Sequence, residues 1–522
     1  MNQDRTKQKI IVNMTWNVAG TILMFFVGIV SSVIYVRYLG NEKYGVAVYI
    51  TDMAILGVTI CSLGLGTYQS KLLQKLRTEE RYGSYKNVFF HNLRVRFLMV
   101  LAALVVILIA TWALPGSNIL QQNASLFFIA IFLVAQMALA VLRGPLQVEY
   151  QQKFLNLLDV SSLIMRLFLV LMVIYFDYGL IGFILSELLV ELVQFYLLGR
   201  RFLVLVWPKL SHVASEKYGQ NTGSFLSMYL VDLSNKIYSK EFDILLIGML
   251  LGIETTAKVA IYSLSFVLVT RVFSFLGLGT ANSAALIMNF VAELDAEGKK
   301  LQIAKFVTKQ IKLIVFFVLP IMVGGVVLGG KVLHIMYKGD LHEYSVINGL
   351  FFIGYSISAL TYVSKPVLFV LGSEKRLLNI RAVFSLIKVL LLLVLIPMLG
   401  ILGAALVTTL ILIISSLAEY HLLNQCIRVE IPFKFLRKMI ISNVTMFSVA
   451  FFSSKMFDKA VPIDVSVVVA LSVAVYSVAL IALKPIDEED YHYICNLGFI
   501  KKIRIDQLLF RFTDFPKLKV KS

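Results

Sequence analysis

Residues 390–418 read LLLLVLIPMLGILGAALVTTLILIISSLA, a block no water-soluble fold can cover. LMVLAALVVILIATWAL (98–114) and SVINGLFFIGYSISALTYV (345–363) are equally apolar. A bilayer core takes about 20 consecutive apolar residues per helix, and a helix there satisfies its own backbone hydrogen bonds. The whole chain agrees, with 59% apolar and only 15% charged residues and a mean hydropathy of +0.83. A soluble domain holds about 45–50% and 25%. The chain therefore reads as an all-α, multi-pass integral membrane protein.

Fourteen spans are expected, near 11–36, 45–70, 88–113, 123–146, 156–176, 179–199, 225–251, 257–283, 308–330, 344–371, 378–397, 401–423, 434–457 and 461–483. The net charge of +18 then becomes a matter of topology rather than of nucleic-acid binding. With both termini cytoplasmic, only Arg37, Lys43, Lys258, Lys331, Lys338, Lys455 and Lys459 fall on the outer side. Six more basic residues lie within spans, and the remainder gather inside, as the positive-inside rule requires. The first apolar block starts near Ile10 and carries Asn13 and Asn17, unlike a cleavable signal peptide. Cys61, Cys426 and Cys495 are too scattered for a disulfide framework or a metal cluster. No G-x-x-x-x-G-K-[ST] loop occurs, so neither ATP nor any other cofactor is expected.

One phrase is written twice. LGNEKYGVAVY (39–49) returns as LGIETTAKVAIY (251–262), with VAVY and VAIY offset by 213 residues. LGLGT (63–67) returns as LGLGT (276–280) at the same offset, and YGLIG (178–182) is echoed by LGILG (399–403). The copies stand six helices apart, an even number, so both face the same way. That predicts a parallel repeat of two six-helix lobes, the architecture of a transporter. The expected divisions are an N-terminal lobe at 1–200, a cytoplasmic linker at 201–224 and a second lobe at 225–425. Helices thirteen and fourteen (426–483) and a cytoplasmic tail (484–522) follow. Within the phrase, Gly40 and Gly252 are expected to end helices, and Tyr49 and Tyr262 to anchor at the interface.

Four stretches also look familiar: RYLGNEKYGVAVY (37–49), SLGLG (62–66), FDILLIGMLLGIETTAKVAIYSLSF (242–266) and GSEKRLLNIRAVFSLIKVLLLLVLIPMLGILGAALVTTL (372–410). In order and spacing they resemble the polysaccharide repeat-unit flippases, the Wzx-like family. That family belongs to the superfamily of multidrug and toxin extrusion (MATE) transporters and lipid II flippases. The resemblance covers about residues 10–425. It implies a fourteen-helix, two-lobed, MATE-like carrier in the cytoplasmic (inner) membrane of a bacterium or archaeon. Such a carrier moves a polyprenyl-diphosphate-linked oligosaccharide to the outer leaflet for capsule, O-antigen (lipopolysaccharide) or exopolysaccharide assembly. Asp243 falls where family members often carry an acid.

Ionisable residues at membrane depth are costly and call for a partner or a purpose. Arg166, Glu187, Glu191, Lys236, Lys240, Arg271 and Lys388 lie near mid-span, with Lys365 and Glu419 nearer the cytoplasm. Asp232, Lys236, Lys240 and Asp243 step by four, four and three, which on a continuous helix puts them on one face. A lipid diphosphate is a compact anion, and Arg and Lys are its natural ligands. Arg166, Lys236, Lys240, Arg271, Lys365 and Lys388 are thus the candidates for a cationic cavity, with Asn13, Asn17, Asn235 and Gln136 available to sugar hydroxyls. Pairing is the plainer alternative: Arg166 with Glu187 or Glu191, Asp232 with Lys236, Lys240 with Asp243. Glu187, Glu191, Asp232 and Asp243 are candidates for ion coupling or for such pairing. Arg37 and Arg143 read as interfacial.

Beyond the last span, DEED (487–490) precedes FIKKIRIDQLLFRF (499–512), which reads as an amphipathic helix on the inner leaflet or a dock for assembly enzymes. An enzyme is not expected, because the outer loops are short and no carboxylate pair or Ser/His constellation lies outside the spans. A drug or cation antiporter of the same fold calls for an acidic rather than a basic midplane. A lipid II or sporulation-type flippase shares the cationic logic and is the main rival. Membrane potential, protons and sodium all remain open as the driving force.

Overall fold

The computed structural model describes residues 2–62, 72–113, 123–216, 233–252, 255–276, 287–457 and 461–485, less positions 75, 78, 150, 289, 293, 296, 339 and 431. Only the backbone is described for 2–22, 24, 106–113, 123–126 and 152. Asp232, the side chains of Asn13 and Asn17, the first LGLGT and all but the opening residue of the second lie outside the described residues. So do most of the inter-lobe linker and the charged tail.

The described elements are all helical. They are α1 (Asn2–Ser62), α2 (Tyr82–Ala113), α3 (Asn123–Val148), α4 (Gln152–Tyr175), α5 (Gly179–Leu205), α6 (Trp207–Ser211), α7 (Lys240–Leu251) and α8 (Thr256–Phe275). After them come α9 (Lys300–Tyr337), α10 (Leu341–Leu360), α11 (Ser364–Val370), α12 (Glu374–Leu399), α13 (Ile401–Cys426), α14 (Phe433–Met456) and α15 (Pro462–Leu483). Among the described residues, twelve helices are long and apolar enough to cross a membrane. α1 contributes two of the expected spans, because Gly40 interrupts it with φ 74° and ψ 165°. α7, at twelve residues, is the longer described helical piece of the expected seventh span. The protein is a multi-pass membrane protein, and its surface carries lipid-compatible side chains such as Phe97, Met249, Phe452 and Met456.

The chain divides into two compact units, residues 1–264 with 381–407 and residues 265–380 with 408–522. In the first, α1 packs against α3, α4 and α7, and α5 against α3 and α4. Tyr35, Ile50, Phe132, Val170, Phe183 and Leu188 form one apolar core there. In the second, α9 packs closely on α10 through VGGVVLGG (323–330). A Cβ at Gly325 would strike the Phe352 ring, and one at Gly329 the Asn348 amide. Small residues let helices approach where lipid removes the hydrophobic driving force between them. α14 and α15 pack on each other and on α9 around Val315, Val323, Met439, Met446 and Tyr476.

The doubled phrase is also doubled in shape. Gly252 ends α7 with φ 74° and ψ −167°, nearly the conformation of Gly40, in a region of backbone space open essentially to glycine alone. The two copies meet inside the first unit. Gly45 of the first lies against the Thr256 carbonyl of the second, and the Tyr49 ring lies on Gly248 at the end of α7. Tyr49 and Tyr262 are both buried, at 4% and 0% exposure, so neither is the interfacial anchor expected of it.

Candidate functional site

The ionisable residues of the first unit gather at a break in a helix. Residues 233–237 form a helical turn, Ser239 then goes extended (φ −87°, ψ 162°), and α7 restarts at Lys240. Such a break leaves carbonyls on one side and N–H groups on the other without helical partners, which hydrocarbon does not tolerate. The Lys236 carbonyl accepts from the Ser239 N–H at 3.0 Å and from its hydroxyl at 2.7 Å. The Ile237 carbonyl accepts from Lys388 Nζ at 2.8 Å. On the other side, Glu241 and Asp243 occupy the first turn of α7, where the helix dipole favours negative charge.

Lys388 therefore spans the break. Its ammonium also lies 2.7 Å from Asp243 Oδ1, and Tyr262 Oη donates to Asp243 Oδ2 at 2.6 Å. Lys240 Nζ sits 2.7 Å from Asp52 Oδ1 and 2.5 Å from Oδ2, tying α7 to α1. Lys236 Nζ lies 3.6 Å from Glu241. One helical face of α12 supplies both Lys388 and Arg381; the latter donates to Asn235 and lies over the Tyr238 ring at 5.8 Å.

A second polar seam runs between α3, α4 and α5 of the same unit. Arg166 meets Glu187 at 2.8 Å, Tyr35 Oη donates to Glu187 at 3.3 Å, and Gln136 donates to Glu191. Arg143, near the end of α3, pairs with Asp159 at 2.5 Å. In the second unit, Lys365 lies 3.8 Å from Glu419 and Arg271 is half-buried on α8.

These positions correct one expectation. Lys236, Lys240 and Asp243 do not share a face of one continuous helix, because Ser239 breaks it; Lys240 pairs with Asp52 rather than Asp243. Of the candidate cations, Arg166, Lys236, Lys240, Lys365 and Lys388 each have a carboxylate within 4 Å, and for Arg166 it is Glu187, a partner that the sequence offered. The reason is the cost of an isolated charge away from water, which a partner on another helix offsets. Asp52, Glu241 and Arg381 escaped the sequence reading. The acid inside an apolar span was a signal for Asp52, and the paired acids of KEFD marked a helix start.

Each ammonium is held by a carboxylate, and a phosphate oxygen offers an ammonium the same kind of charge-assisted bond.

No curated protein sequence matches the chain. Solved structures show its fold. The lipid II flippase MurJ, in an inward closed conformation, superposes with a TM-score of 0.66 at 14% identity, covering 90% of this chain and 98% of that one. An inward-facing multidrug resistance MATE family transporter of the MOP superfamily gives 0.60 at 13% identity, covering 77% and 94%. A MOP superfamily transporter from Pyrococcus furiosus gives 0.55 at 13%, covering 80% and 95%. The family model for polysaccharide biosynthesis proteins matches residues 34–345, more than half the sequence and the stretch that holds the break in α7. The chain belongs to that family of polysaccharide biosynthesis proteins.

Proposed function

We propose that the protein is a transporter that flips a polyprenyl-diphosphate-linked oligosaccharide from the inner to the outer leaflet of the cytoplasmic membrane, by alternating access. The observation that carries this reading is the broken helix of the first unit, where Lys236, Lys240 and Lys388 are held by acids. Discontinuous membrane helices are where transporters place anionic groups of their cargo. The diphosphate takes these cations in turn, the sugars face side-chain amides such as Gln136 and Asn235, and the polyprenyl tail stays in lipid. Export of negative charge across an inside-negative membrane is favoured by about 2.3 kcal/mol per charge per 100 mV. Both termini face the cytoplasm in this reading, and no chemical step is assigned to the protein.

The test is a protection assay in proteoliposomes holding the purified full chain and a fluorescent undecaprenyl-diphosphate oligosaccharide. The expected result is time-dependent loss of label protection that empty liposomes lack. Equal protection with and without protein would overturn the reading. A second reading, lipid II as cargo, is favoured by the MurJ match, which covers more of this chain than the MATE match does. Lipid II in the same assay separates the two.

A further inference from the structure

In the second unit, α9, α14 and α15 come together at one end in a patch of positive charge. Lys312 of α9 lies 5.9 Å over the Phe435 ring of α14. Lys438 donates to the Lys484 carbonyl at 2.8 Å, where α15 ends. Lys434 and Arg437 stand beside them in the first two turns of α14, and both are exposed. The sequences of α9 and α14 hold no aspartate or glutamate, and Asp464, the one acid of α15, stands at its other end. Glu430, three residues ahead of α14, is the nearest acid along the chain. The backbone adds to the charge instead of offsetting it. A helix start favours acids, yet α14 places its cations there and has no side-chain cap.

Further into the span the same face is apolar. Lys434, Arg437, Ile441 and Val444 step by three, four and three, which puts them on one face. Phe452 stands 18 residues beyond Lys434, five whole turns, and so in line with it. Ile441, Val444 and Phe452 are 45%, 57% and 66% exposed. Apolar exposure is ordinary on a membrane helix; the cations heading this stripe give it a chemical direction. A ligand that matches all of it joins a negative head to a hydrocarbon body. The acidic run DEED (487–490), which lies outside the described residues, matches the cations alone.

We infer that this end of α14 is a docking surface for an anionic phospholipid. The Arg437 guanidinium takes the phosphate, its fork fitting two oxygens, with the Lys434 ammonium beside it. Lys438 is committed to the α15 carbonyl, so it and Lys312 contribute their positive field. One acyl chain lies along Ile441, Val444 and Phe452. Basic clusters at the ends of membrane helices attract anionic headgroups in this way. A headgroup here offsets the repulsion among cations from three helix ends, so binding stabilises the fold. The surface shares no residue with the break in α7 and does not depend on the transport reading.

The test uses the purified full chain, delipidated in maltoside detergent. The probe is phosphatidylglycerol, and phosphatidylethanolamine with the same chains is the zwitterionic control. Retained lipid is read by native mass spectrometry and stability by Tm. Phosphatidylglycerol is expected to stay bound and raise Tm where phosphatidylethanolamine does not. Lys434→Gln with Arg437→Gln should weaken the tightest phosphatidylglycerol at least tenfold and at least halve its Tm shift. Ile441→Ser with Val444→Ser should weaken it severalfold. Lys375→Gln with Arg376→Gln removes the same charge from exposed positions at the start of α12 and should match wild type. Equal retention of the two lipids, unchanged phosphatidylglycerol binding in the Lys434 and Arg437 pair, or an equal loss in the α12 pair would overturn the inference. So would a tenfold gain in binding on changing Asp487, Glu488, Glu489 and Asp490 to their amides, because the patch would then belong to the tail.

Discussion

Lys388 and Asp243 form an ion pair at 2.7 Å with side chains 1% and 0% exposed, and the same ammonium holds the Ile237 carbonyl across a break in the helix. Two discontinuous pieces of backbone are thus joined through one side chain of α12. Removing either partner strands a buried charge, a loss of about 3–5 kcal/mol. Lys388→Met and Asp243→Asn should each lower the detergent Tm sharply. The double variant should lose less than the sum, with a coupling of about 1–3 kcal/mol. Tyr262→Phe removes one hydrogen bond to the carboxylate and should cost about 1.5–3 kcal/mol. Additive losses in the double variant would mean that the two residues do not act on each other.

The Asp52–Lys240 pair makes a different prediction, because it joins α1 to α7 and is less enclosed. Asp52→Asn and Lys240→Gln should each cut oligosaccharide flipping at least tenfold while the protein still inserts. Exchanging the charges, Asp52→Lys with Lys240→Asp, should recover Tm but not flipping, since the cation then sits on the wrong helix to receive an anion. Lys236→Ala and Arg271→Ala should likewise impair export at normal protein levels. Wild-type flipping in all four single variants would remove this part of the membrane from the transport path.

Sequence and structure part company where three-dimensional pairing begins. Apolar segments are legible because hydrocarbon imposes length and composition on each helix alone, so α9 to α15 fall close to their expected spans. The Arg166–Glu187 pair is legible because it joins consecutive helices. The Lys388–Asp243 pair is not, since 145 residues separate the partners and nothing local links them. Arg96 misleads for another reason. Two turns from the end of an apolar block, next to Arg94, it reads as one more positive-inside charge, and only packing shows it enclosed. The break at Ser239 is half legible: the acids of the first turn of α7 mark a helix start, but an unbroken periodicity argues against one.

In the second unit, Lys331, one of the basic residues expected on the outer side, closes the end of a helix. Its ammonium is buried on α9 and donates to the carbonyls of Ser454 at 2.6 Å and Phe457 at 3.0 Å, groups that the end of α14 leaves without helical partners. Lys331→Met should lower Tm by the equivalent of about 1–3 kcal/mol. Flipping per folded molecule should stay unchanged, because the residue holds structure and not cargo. A transport loss without a Tm loss would assign it to the path instead.

The two turn glycines and their neighbour separate backbone strain from crowding. At Gly40 and Gly252 a Cβ meets nothing within 4 Å, yet both sit at φ 74° with extended ψ. Alanine at either should cost about 1–3 kcal/mol through the backbone alone. The two losses should be similar, because the two copies of the phrase share one conformation. Gly45 is helical and unstrained, but its Cβ would run into the Thr256 carbonyl, so Gly45→Ala must push α1 away from the start of α8. Its loss should exceed the other two, and a compensating change at Thr256 should not rescue it, since the obstacle is backbone. Tm measured on the three purified variants decides the matter. If Gly45→Ala is the mildest, the two copies of the phrase do not pack as closely as the structure has them.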